Sequence, residues 1–482
     1  MSINFEDILK VINHFINIKT ERQMFMSHYQ VLRDKLFENL KAQDAVFKKL
    51  FNGHELQGSY GDNVKVNRAD EYDLVFFLNF PAKDEILVTG DPDLPGNFFI
   101  DVRNVLKTIK SQKQNSLLHE KLRTWTVKDN DCEYLDIEKL HAWLKSCFSK
   151  ALLAMKNSVE GIPSNLKFVY QRCGPAHTIT VSEPCKFSVD FVPGIVLGAQ
   201  HVIMENSPPE WHGIPKPVQN TKSFRASYYS LERELIKNKN NLKNALRILK
   251  KFRDSHPNMK NLKSYYIKTL FLWRNSQVDN EYWARRLCDS IKDMFSLLKC
   301  CLDAGYLGFY WNKKLNLFNE LNEEQLNEMR SYMKCVCDDI LVAHENMYLS
   351  PALALKVIHM FLSKDERLQC LPLIARHVKT KRYRLVTAGT RHRIHHFDSP
   401  ESATSPPART LFGAPKIFNP IKITIPYPKQ PLACELEYSP SYDSDGGEPF
   451  LGDLSQDYLK DLYEVFAWEQ SISNSAESHT YS

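Results

Sequence analysis

The 482-residue sequence contains no apolar run near the roughly 20 residues that cross a bilayer, so we expect no membrane segment. Its first residues, Met-Ser-Ile-Asn-Phe-Glu-Asp, lack the basic stretch and apolar core of a secretory signal. The eleven cysteines are odd in number and follow no disulfide-framework spacing, which is typical of a reducing compartment. There is also no internal repeat. These absences predict a cytoplasmic protein.

The net charge of +6 hides an asymmetry along the chain. From Pro431 onward there are eleven acidic residues and one lysine, a balance of −10, whereas residues 1–430 carry a balance of +16. A basic body with an acidic tail indicates polyanion binding, although the same charges could simply form a solvated surface. The charge pattern alone leaves these two interpretations open.

Hydrophobic periodicity divides the chain into regions of different type. Helical spacing over residues 3–50 predicts a long N-terminal helix, and strand-like and helical segments alternate up to residue 210. From about residue 222 to residue 345 the pattern turns helical. Residues 346–482 predict a helical extension and then a largely disordered acidic tail with a Ser/Pro-rich linker. We therefore expect domains at 1–210 and 211–345, followed by the 346–482 region.

A Gly-Ser pair followed by two spaced acids is the most informative motif. Gly58 and Ser59 read as a tight turn that offers a backbone N–H and a hydroxyl to a phosphate. Glu71 and Asp73 begin an apolar run typical of a strand, so alternation puts both carboxylates on one face and Tyr72 on the other. Adjacent carboxylates repel each other unless a cation lies between them. These are the parts of a nucleotidyltransferase.

A pair of catalytic metal ions needs a third carboxylate from elsewhere in the fold. Asp190 is the best candidate, in a short alternating strand that we expect to be closed by Pro193. The alternative is that Asp190 is an ordinary surface acid at a strand end. Its place after the first acidic strand favours the catalytic interpretation.

Several segments in register resemble the cyclic GMP–AMP synthase family. The first two are Gly58-Ser59-Tyr60 with Glu71-Tyr72-Asp73, and Ser188-Val189-Asp190. The others lie downstream: Phe224-Arg225-Ala226-Ser227-Tyr228, Leu246-Arg247-Ile248-Leu249-Lys250, Lys263-Ser264-Tyr265-Tyr266-Ile267-Lys268-Thr269 and Leu315-Asn316-Leu317-Phe318. The Gly-Ser and Glu-x-Asp element occurs in many nucleotidyltransferases, but the Ser-Tyr-x-x-Lys-Thr segment in register makes the match specific. The resemblance covers roughly residues 50–345.

The resemblance implies a two-lobed α/β nucleotidyltransferase, with a twisted mixed sheet, a helical lobe and the active site in the cleft between them. It implies that Glu71, Asp73 and Asp190 bind Mg²⁺ or Mn²⁺. It also implies nucleotide-binding residues: Gly58 and Ser59 on the triphosphate, Arg225 and Ser227 on the acceptor nucleotide, Lys250 and Ser264 on phosphate, and Tyr265 stacked on a base. Taken singly, Arg225 and Lys250 could be solvated helix charges and Tyr265 a core residue.

One departure from the family bears on the activating ligand. Vertebrate members carry a His/Cys zinc insertion where this chain has only Lys237-Asn-Lys-Asn-Asn-Leu242, and Cys300-Cys301 lacks zinc-site spacing. We therefore expect no zinc and no duplex-DNA clamp, and we predict double-stranded RNA as the ligand. Candidate RNA contacts are the basic residues of the N-terminal helical stretch and of residues 237–251: Lys19, Arg22, Arg33, Lys41, Lys48, Lys49, Lys237, Lys239, Lys243 and Lys251.

The sequence thus predicts an RNA-activated enzyme that makes cyclic GMP–AMP from ATP and GTP, as an innate immune messenger for a downstream receptor. Two alternatives stay open. Relatives in the wider Mab-21 family keep the fold but act as developmental interaction proteins, and a template-free polymerase would add nucleotides to RNA ends. An intact set of three carboxylates argues against a scaffold, because a binding protein has no need of converging unpaired acids.

Overall fold

The computed structural model of the protein describes residues 3–157, 167–183, 185–203 and 209–376, apart from the side chains of residues 19–21 and 156–157. These residues belong to one compact unit, Met1–Val378. The Ser/Pro-rich linker and the acidic tail predicted from the sequence lie outside the described residues.

Helices dominate both ends of the described chain, and four more α-helices lie between strands. In chain order they are α1 Phe5–Phe15, α2 Lys19–Gln43, α3 Ala45–Leu50, α4 Gly58–Gly61, α5 Arg103–Lys110, α6 Ser116–Thr124, α7 Ile137–Asn157, α8 Tyr229–Leu235, α9 Asn240–Ser255, α10 Ser264–Gln277, α11 Leu287–Asp303, α12 Glu323–Glu345 and α13 Pro351–Phe361. Residues 364–376 are helical as well. The helical pattern predicted after residue 222 is therefore confirmed.

The strands lie mostly between α3 and α8. They are β1 Phe51–Gln57, β2 Glu71–Leu78, β3 Leu87–Gly90, β4 Asn97–Asp101, β5 Thr126–Asp129, β6 Cys132–Leu135, β7 Lys167–Cys173, β8 Ala176–Glu183, β9 Phe187–Gly198, β10 Glu210–Ile214, β11 Ser223–Ser227, β12 Gly308–Phe309 and β13 Asn312–Asn316. Among the described residues, β1 to β11 form one mixed sheet with the main order β1-β2-β9-β10-β11-β4-β6-β5. The predicted α/β class with a mixed sheet is confirmed.

Strand β9 runs through Pro193, so the expectation that this proline closes the strand is wrong. Strand β8 pairs with β9 up to Phe191, and β10 pairs with it only from Ile195 onward. Pro193 lies in the interval between these two partners, opposite Phe76 of the parallel strand β2. The missing N–H of proline is tolerated there because neither antiparallel ladder uses it.

Two hydrophobic cores divide the described residues. One combines the sheet with α2, α3 and α5–α7, and the other combines α1 with α9–α13. The helical stretch predicted over residues 3–50 therefore breaks at Ile16–Ile18, because α1 and α2 bury their apolar faces in different cores. None of the described helices has the length and apolar character that a bilayer crossing requires.

Candidate active site

The Gly-Ser turn lies directly against a carboxylate. Strand β1 ends at Gln57, which pairs with Asp73 of β2, and the single helical turn α4 follows with Ser59 half-buried. Gly58 has a φ of +60°, and a Cβ at this position would lie 1.9 Å from Oδ2 of Asp73. Only glycine combines this left-handed backbone with so close an approach. The turn therefore presents its backbone beside Asp73.

The three predicted metal ligands come together on two neighbouring strands. Strands β2 and β9 are parallel, with Asp73 opposite Asp190 and Glu71 opposite Ser188. Side chains directly opposite each other share a face, so Glu71, Asp73 and Asp190 lie on the same side of the sheet. Tyr72 points to the other side, where it is buried.

The electrostatics of these carboxylates match a cation site. Burial, together with the charges of Glu71 and Asp190, raises the pKa of Asp73 to about 6. Burial also raises the pKa of Asp190, against the opposing effect of a 2.6 Å hydrogen bond donated by the Thr178 hydroxyl to Oδ1. Raised carboxyl pKa values mean that the negative charges of the ionised carboxylates are not fully balanced by their surroundings. A divalent ion with oxygen ligands would supply the missing positive charge.

Glu71 differs from the two aspartates because a lysine neutralises it. Burial acts to raise its pKa, but the hydrogen bond and charge of Lys65, with the charges of Lys250 and Arg253, lower it overall. The ammonium of Lys65 lies 2.7 Å from Oε2 of Glu71. Lys65 lies between the Gly-Ser turn and β2 and is not among the site residues predicted from the sequence.

The phosphate-binding candidates of the helical lobe lie near the segment that follows the turn. Lys250 of α9 is buried, with a side chain that donates a 3.1 Å hydrogen bond to the Val64 carbonyl. Burial and the neighbouring cations Arg253 and Lys65 lower the pKa of Lys250 to about 8. Ser264, the first residue of α10, accepts a 2.7 Å hydrogen bond from Arg253. A buried ammonium of this kind is suited to an anionic ligand.

The residues predicted to hold the acceptor nucleotide and its base lie around Phe309. Arg225 and Ser227 share one face of β11, and the Arg225 guanidinium lies 5.7 Å from the Phe309 ring centroid. Nε of Arg225 is buried without a hydrogen-bond partner among the described residues. Tyr265 packs its ring 6.2 Å from Phe309 and donates a 2.8 Å hydrogen bond to Glu232. Tyr265 is thus held in place by its hydroxyl.

A buried ion network that sequence reasoning missed links these parts. The ammonium of Lys268 lies 2.7 Å from Asp62, which caps α4, and 2.9 Å from Glu232 of α8. Glu232 also accepts a 3.0 Å hydrogen bond from the Trp311 indole. The sequence signal that could have identified Lys268 is helical spacing, because Lys268 follows Ser264 by one turn of α10 and so lies on the same face of that helix.

The predicted RNA contacts divide into exposed and engaged residues. Lys48, Lys49 and Lys237 are exposed, and Lys41, Lys239 and Lys243 are half-buried. Arg22 donates to Asn63, and Arg33 pairs with Asp34. The side chain of Lys19 lies outside the described part of the chain.

Lys251 is not available as an RNA contact, which corrects the prediction made for it. It is 4% exposed, donates to Asn67 at 3.0 Å and pairs with Glu366 at 2.5 Å. Its position on α9 turns it toward the helical region 364–376 rather than toward solvent. The helical pattern alone could not reveal this partner, which lies 115 residues further along the chain.

A basic groove adjoins the exposed lysines of α3. It has a volume of about 600 Å³ and lies between α5 and α6. Its lining is Arg103, Leu106, Lys107, Lys110, His119, Arg123, Asp131 and Glu133. Lys49 donates a 2.6 Å hydrogen bond to the Gln114 carbonyl, in the connection between α5 and α6. The lysines of α3 and this groove therefore form one surface in which cations outnumber acids.

Comparison with known proteins agrees with this geometry. Residues 60–238 match the Mab-21 protein nucleotidyltransferase domain, and residues 241–335 match the Mab-21 protein HhH/H2TH-like domain. The chain is 43% identical over 344 residues to a cyclic GMP-AMP synthase-like receptor of Lucilia cuprina, covering 70% of this chain and 91% of that protein. It is 36% identical over 353 residues to cyclic GMP-AMP synthase-like receptor 1 of Drosophila melanogaster, covering 69% of this chain and 91% of that one.

Proposed function

The chain belongs to the Mab-21 nucleotidyltransferase family, among its cyclic GMP–AMP synthase-like receptors, and we propose that it joins ATP and GTP into cyclic GMP–AMP when double-stranded RNA binds. The observation that carries the proposal is the register of Asp73 opposite Asp190, with Gly58 against the Asp73 carboxylate. A structural core gains nothing from two half-buried acids side by side, because their mutual repulsion and desolvation oppose folding.

The residues present fit Mg²⁺ or Mn²⁺. Glu71, Asp73 and Asp190 provide carboxylate oxygens on one sheet face, the ligand type that these ions prefer, and the raised pKa of Asp73 reflects an uncompensated negative charge. When bound, the ions neutralise the triphosphate and the charge that develops as the hydroxyl attacks.

The remaining residues position the two nucleotides. In the proposed reaction a ribose hydroxyl oxygen bonds to the α-phosphorus of a triphosphate, and pyrophosphate leaves. Gly58 and Ser59 hold the triphosphate, while Lys250 and Ser264 contact phosphate oxygens. Thr178 fixes Oδ1 of Asp190 and thereby leaves Oδ2 for a metal ion or for the hydroxyl proton. Such positioning and charge neutralisation are the main protein contributions to phosphoryl transfer.

The acceptor nucleotide lies over β11 in this proposal. Nε of Arg225 has no hydrogen-bond partner in the described part of the chain, and it is a donor suited to a nucleotide phosphate or base. Ser227 lies two residues further along the same face, and Tyr265 offers a ring whose orientation Glu232 fixes. A base held by stacking on an aromatic ring needs no duplex partner.

The activating RNA binds through basic residues of α2, α3, the turn before α9 and the first turn of α9. These residues are Lys19, Arg22, Arg33, Lys41, Lys48, Lys49, Lys237, Lys239 and Lys243, and the α5–α6 groove extends the surface that they form. Binding to the phosphates that flank the minor groove of duplex RNA requires a row of positively charged side chains. It does not require a helix that contacts the base edges. The proposal includes a cytoplasmic location, which agrees with the free thiols of the described cysteines, and a downstream receptor for the product in innate antiviral defence.

The test incubates the full-length protein with labelled ATP and GTP, Mg²⁺ or Mn²⁺, and either duplex RNA, duplex DNA or no nucleic acid. A small phosphatase-resistant product that forms only with RNA is expected. Its formation should stop in Asp73→Asn and continue in Glu183→Gln, which changes an acid at the far end of the neighbouring strand β8.

Three results would contradict the proposal in different ways. Nucleotide chains of growing length would indicate a template-free polymerase. Product with duplex DNA alone would overturn the choice of RNA. Failure to form product with any nucleic acid, while Mn²⁺ still binds at the carboxylates, would favour an interaction protein that retains the fold.

A further inference from the structure

Potential metal ligands of three chemical types meet far from the carboxylates of the active site. Cys288 and Asp289 lie in the first turn of α11, and His344 lies in the last turn of α12. One ligand atom from each residue lies within 4.8 Å of the other two. Within this group, Nε2 of His344 is 2.7 Å from Oδ1 of Asp289, and Sγ of Cys288 is 3.9 Å from the same oxygen.

A fourth donor comes from the first turn of α1. The backbone N–H of Cys288 donates a 2.7 Å hydrogen bond to Oε2 of Glu6, so this carboxylate lies at the edge of the same cluster. The cluster therefore contains a thiol, an imidazole and two carboxylates, supplied by three helices. These are the side chains that bind Zn²⁺ in proteins.

We propose that Cys288, Asp289 and His344, with Glu6 as the fourth donor, form a binding site for a Zn²⁺-type transition-metal ion. Zn²⁺ lies about 2.0 to 2.3 Å from its ligands, which places tetrahedral ligand atoms about 3 to 4 Å apart. The separations among the ligand atoms of Cys288, Asp289 and His344 bracket this range. Binding displaces the proton of the Cys288 thiol and the Nε2 proton that His344 donates to Asp289, and His344 then coordinates through Nε2 with its remaining ring proton on Nδ1.

The ion pair that Arg286 forms with Asp289 does not block the site. Arg286 contacts Asp289 through two hydrogen bonds of 2.7 and 3.1 Å. Its side chain is 64% exposed, so it can return to water at low cost when an ion takes the carboxylate. The hydrogen bond between Nε2 of His344 and Asp289 brings these two ligand atoms side by side, and it is replaced when both bind the ion.

An ion at this position would join α1 to α11 and α12. At present α1 is tied to the helical core by apolar packing and by a 2.8 Å hydrogen bond from the Leu349 N–H to the Ile3 carbonyl. The sequence-based expectation of no zinc did not take this cluster into account, because 55 residues separate Asp289 from His344. The proposed site is structural and does not depend on the proposed catalytic function.

The test is a Co²⁺ titration of metal-free, full-length protein, followed by the near-ultraviolet sulfur-to-cobalt charge-transfer absorption. Cobalt substitutes for zinc, and carboxylates of the active site cannot produce this band because it requires a bound thiolate. We expect a band that saturates at one ion per chain, disappears in Cys288→Ser and reverses on Zn²⁺ addition. His344→Gln keeps the thiol and should weaken Co²⁺ affinity at least ~10-fold.

The matched control is Cys335→Ser, which removes an exposed cysteine of α12 outside the cluster. Its band should equal that of the unaltered protein, and so should that of Asp73→Asn. Absence of the band in the unaltered protein would overturn the site, as would an undiminished band in Cys288→Ser. Should Cys288→Ser fail to fold, an unchanged affinity in His344→Gln would overturn the site equally well.

Discussion

The ammonium of Lys268 lies 2.7 Å from the Asp62 carboxylate in a position where both side chains are almost fully buried. Asp62 follows the Gly-Ser turn, and Lys268 also pairs with Glu232, the residue that orients Tyr265. One buried lysine thus connects the proposed triphosphate turn with the proposed base-binding side. Because a buried charge must be paired, a displacement of Asp62 should also move Lys268 and, through it, Glu232.

Replacement of Lys268 by methionine should lower the free energy of unfolding by about 3 to 5 kcal/mol, since it leaves two buried carboxylates without their cation. Urea unfolding measures this change. The matched control is Lys237→Met, which removes an exposed lysine paired with Glu234 and should cost at most about 1 kcal/mol. Equal effects of the two substitutions would mean that the buried network contributes no more than a surface ion pair.

Replacement of Gly58 by alanine should abolish most nucleotidyl transfer while the protein stays folded. The new Cβ would lie 1.9 Å from Oδ2 of Asp73 and must displace that carboxylate. Gly174 is a close control, because it has a φ of +59° but no atom within 4 Å of an added Cβ. Both variants incur a backbone cost of about 1 to 2 kcal/mol, and only Gly58→Ala should reduce the turnover rate, by about 100-fold or more. Comparable turnover in both variants would contradict the placement of the turn.

The contribution of Asp73 to the stability of the metal-free protein should fall as the pH rises from about 4 to about 7. The pKa of Asp73 is about 6 in the folded state, above its ordinary value, so over this range its carboxyl binds more protons in the folded state than in the unfolded state. The contribution is present at low pH and lost as the pH passes 6. Relative to Asp73→Asn, the loss should be about 2 to 3 kcal/mol.

Unfolding of both proteins in urea at pH 4.5, 6.0 and 7.5 checks this dependence. Mn²⁺ at about 100 times its dissociation constant should restore about 2.7 kcal/mol to the unaltered protein at pH 7.5. Asp73→Asn should gain much less. A stability difference that does not change with pH would show that Asp73 titrates normally and that the carboxylates are not strained.

Reversal of charge at the exposed lysines of α3 should weaken RNA binding. Lys48→Glu together with Lys49→Glu removes two cations from the proposed RNA surface, so the slope of log affinity against log salt concentration should decrease by about 1 to 2 units. Fluorescence anisotropy with duplex RNA at several salt concentrations measures the slope. Lys356→Glu, an exposed lysine of α13, serves as the control. An unchanged slope in the double variant would exclude this surface.

Local patterns account for the parts of the site that the sequence predicted. The alternation of Glu71, Tyr72 and Asp73 assigned the two acids to one face because side-chain direction in a strand depends only on position. The same rule applied to Asp190, and β2 and β9 do pair in parallel with Asp73 opposite Asp190. Helical periodicity likewise located α9 to α12. Each of these inferences required information from fewer than about ten neighbouring residues.

The features of the structure that the sequence did not predict depend on contacts between residues that are distant in the sequence. The sequence predicts Lys251 to be a surface lysine of α9, whereas the structure pairs it with Glu366. The sequence predicts that Pro193 ends its strand, whereas Pro193 lies between the parts of β9 that pair with β8 and with β10. The sequence by itself determined the α/β class, the carboxylate pattern and the glycine of the turn, because those depend on backbone geometry over a few residues. Only the tertiary structure decided which charges are buried, that Lys268 bridges Asp62 and Glu232, and that Cys288 meets His344, because burial and pairing arise where separate elements pack together.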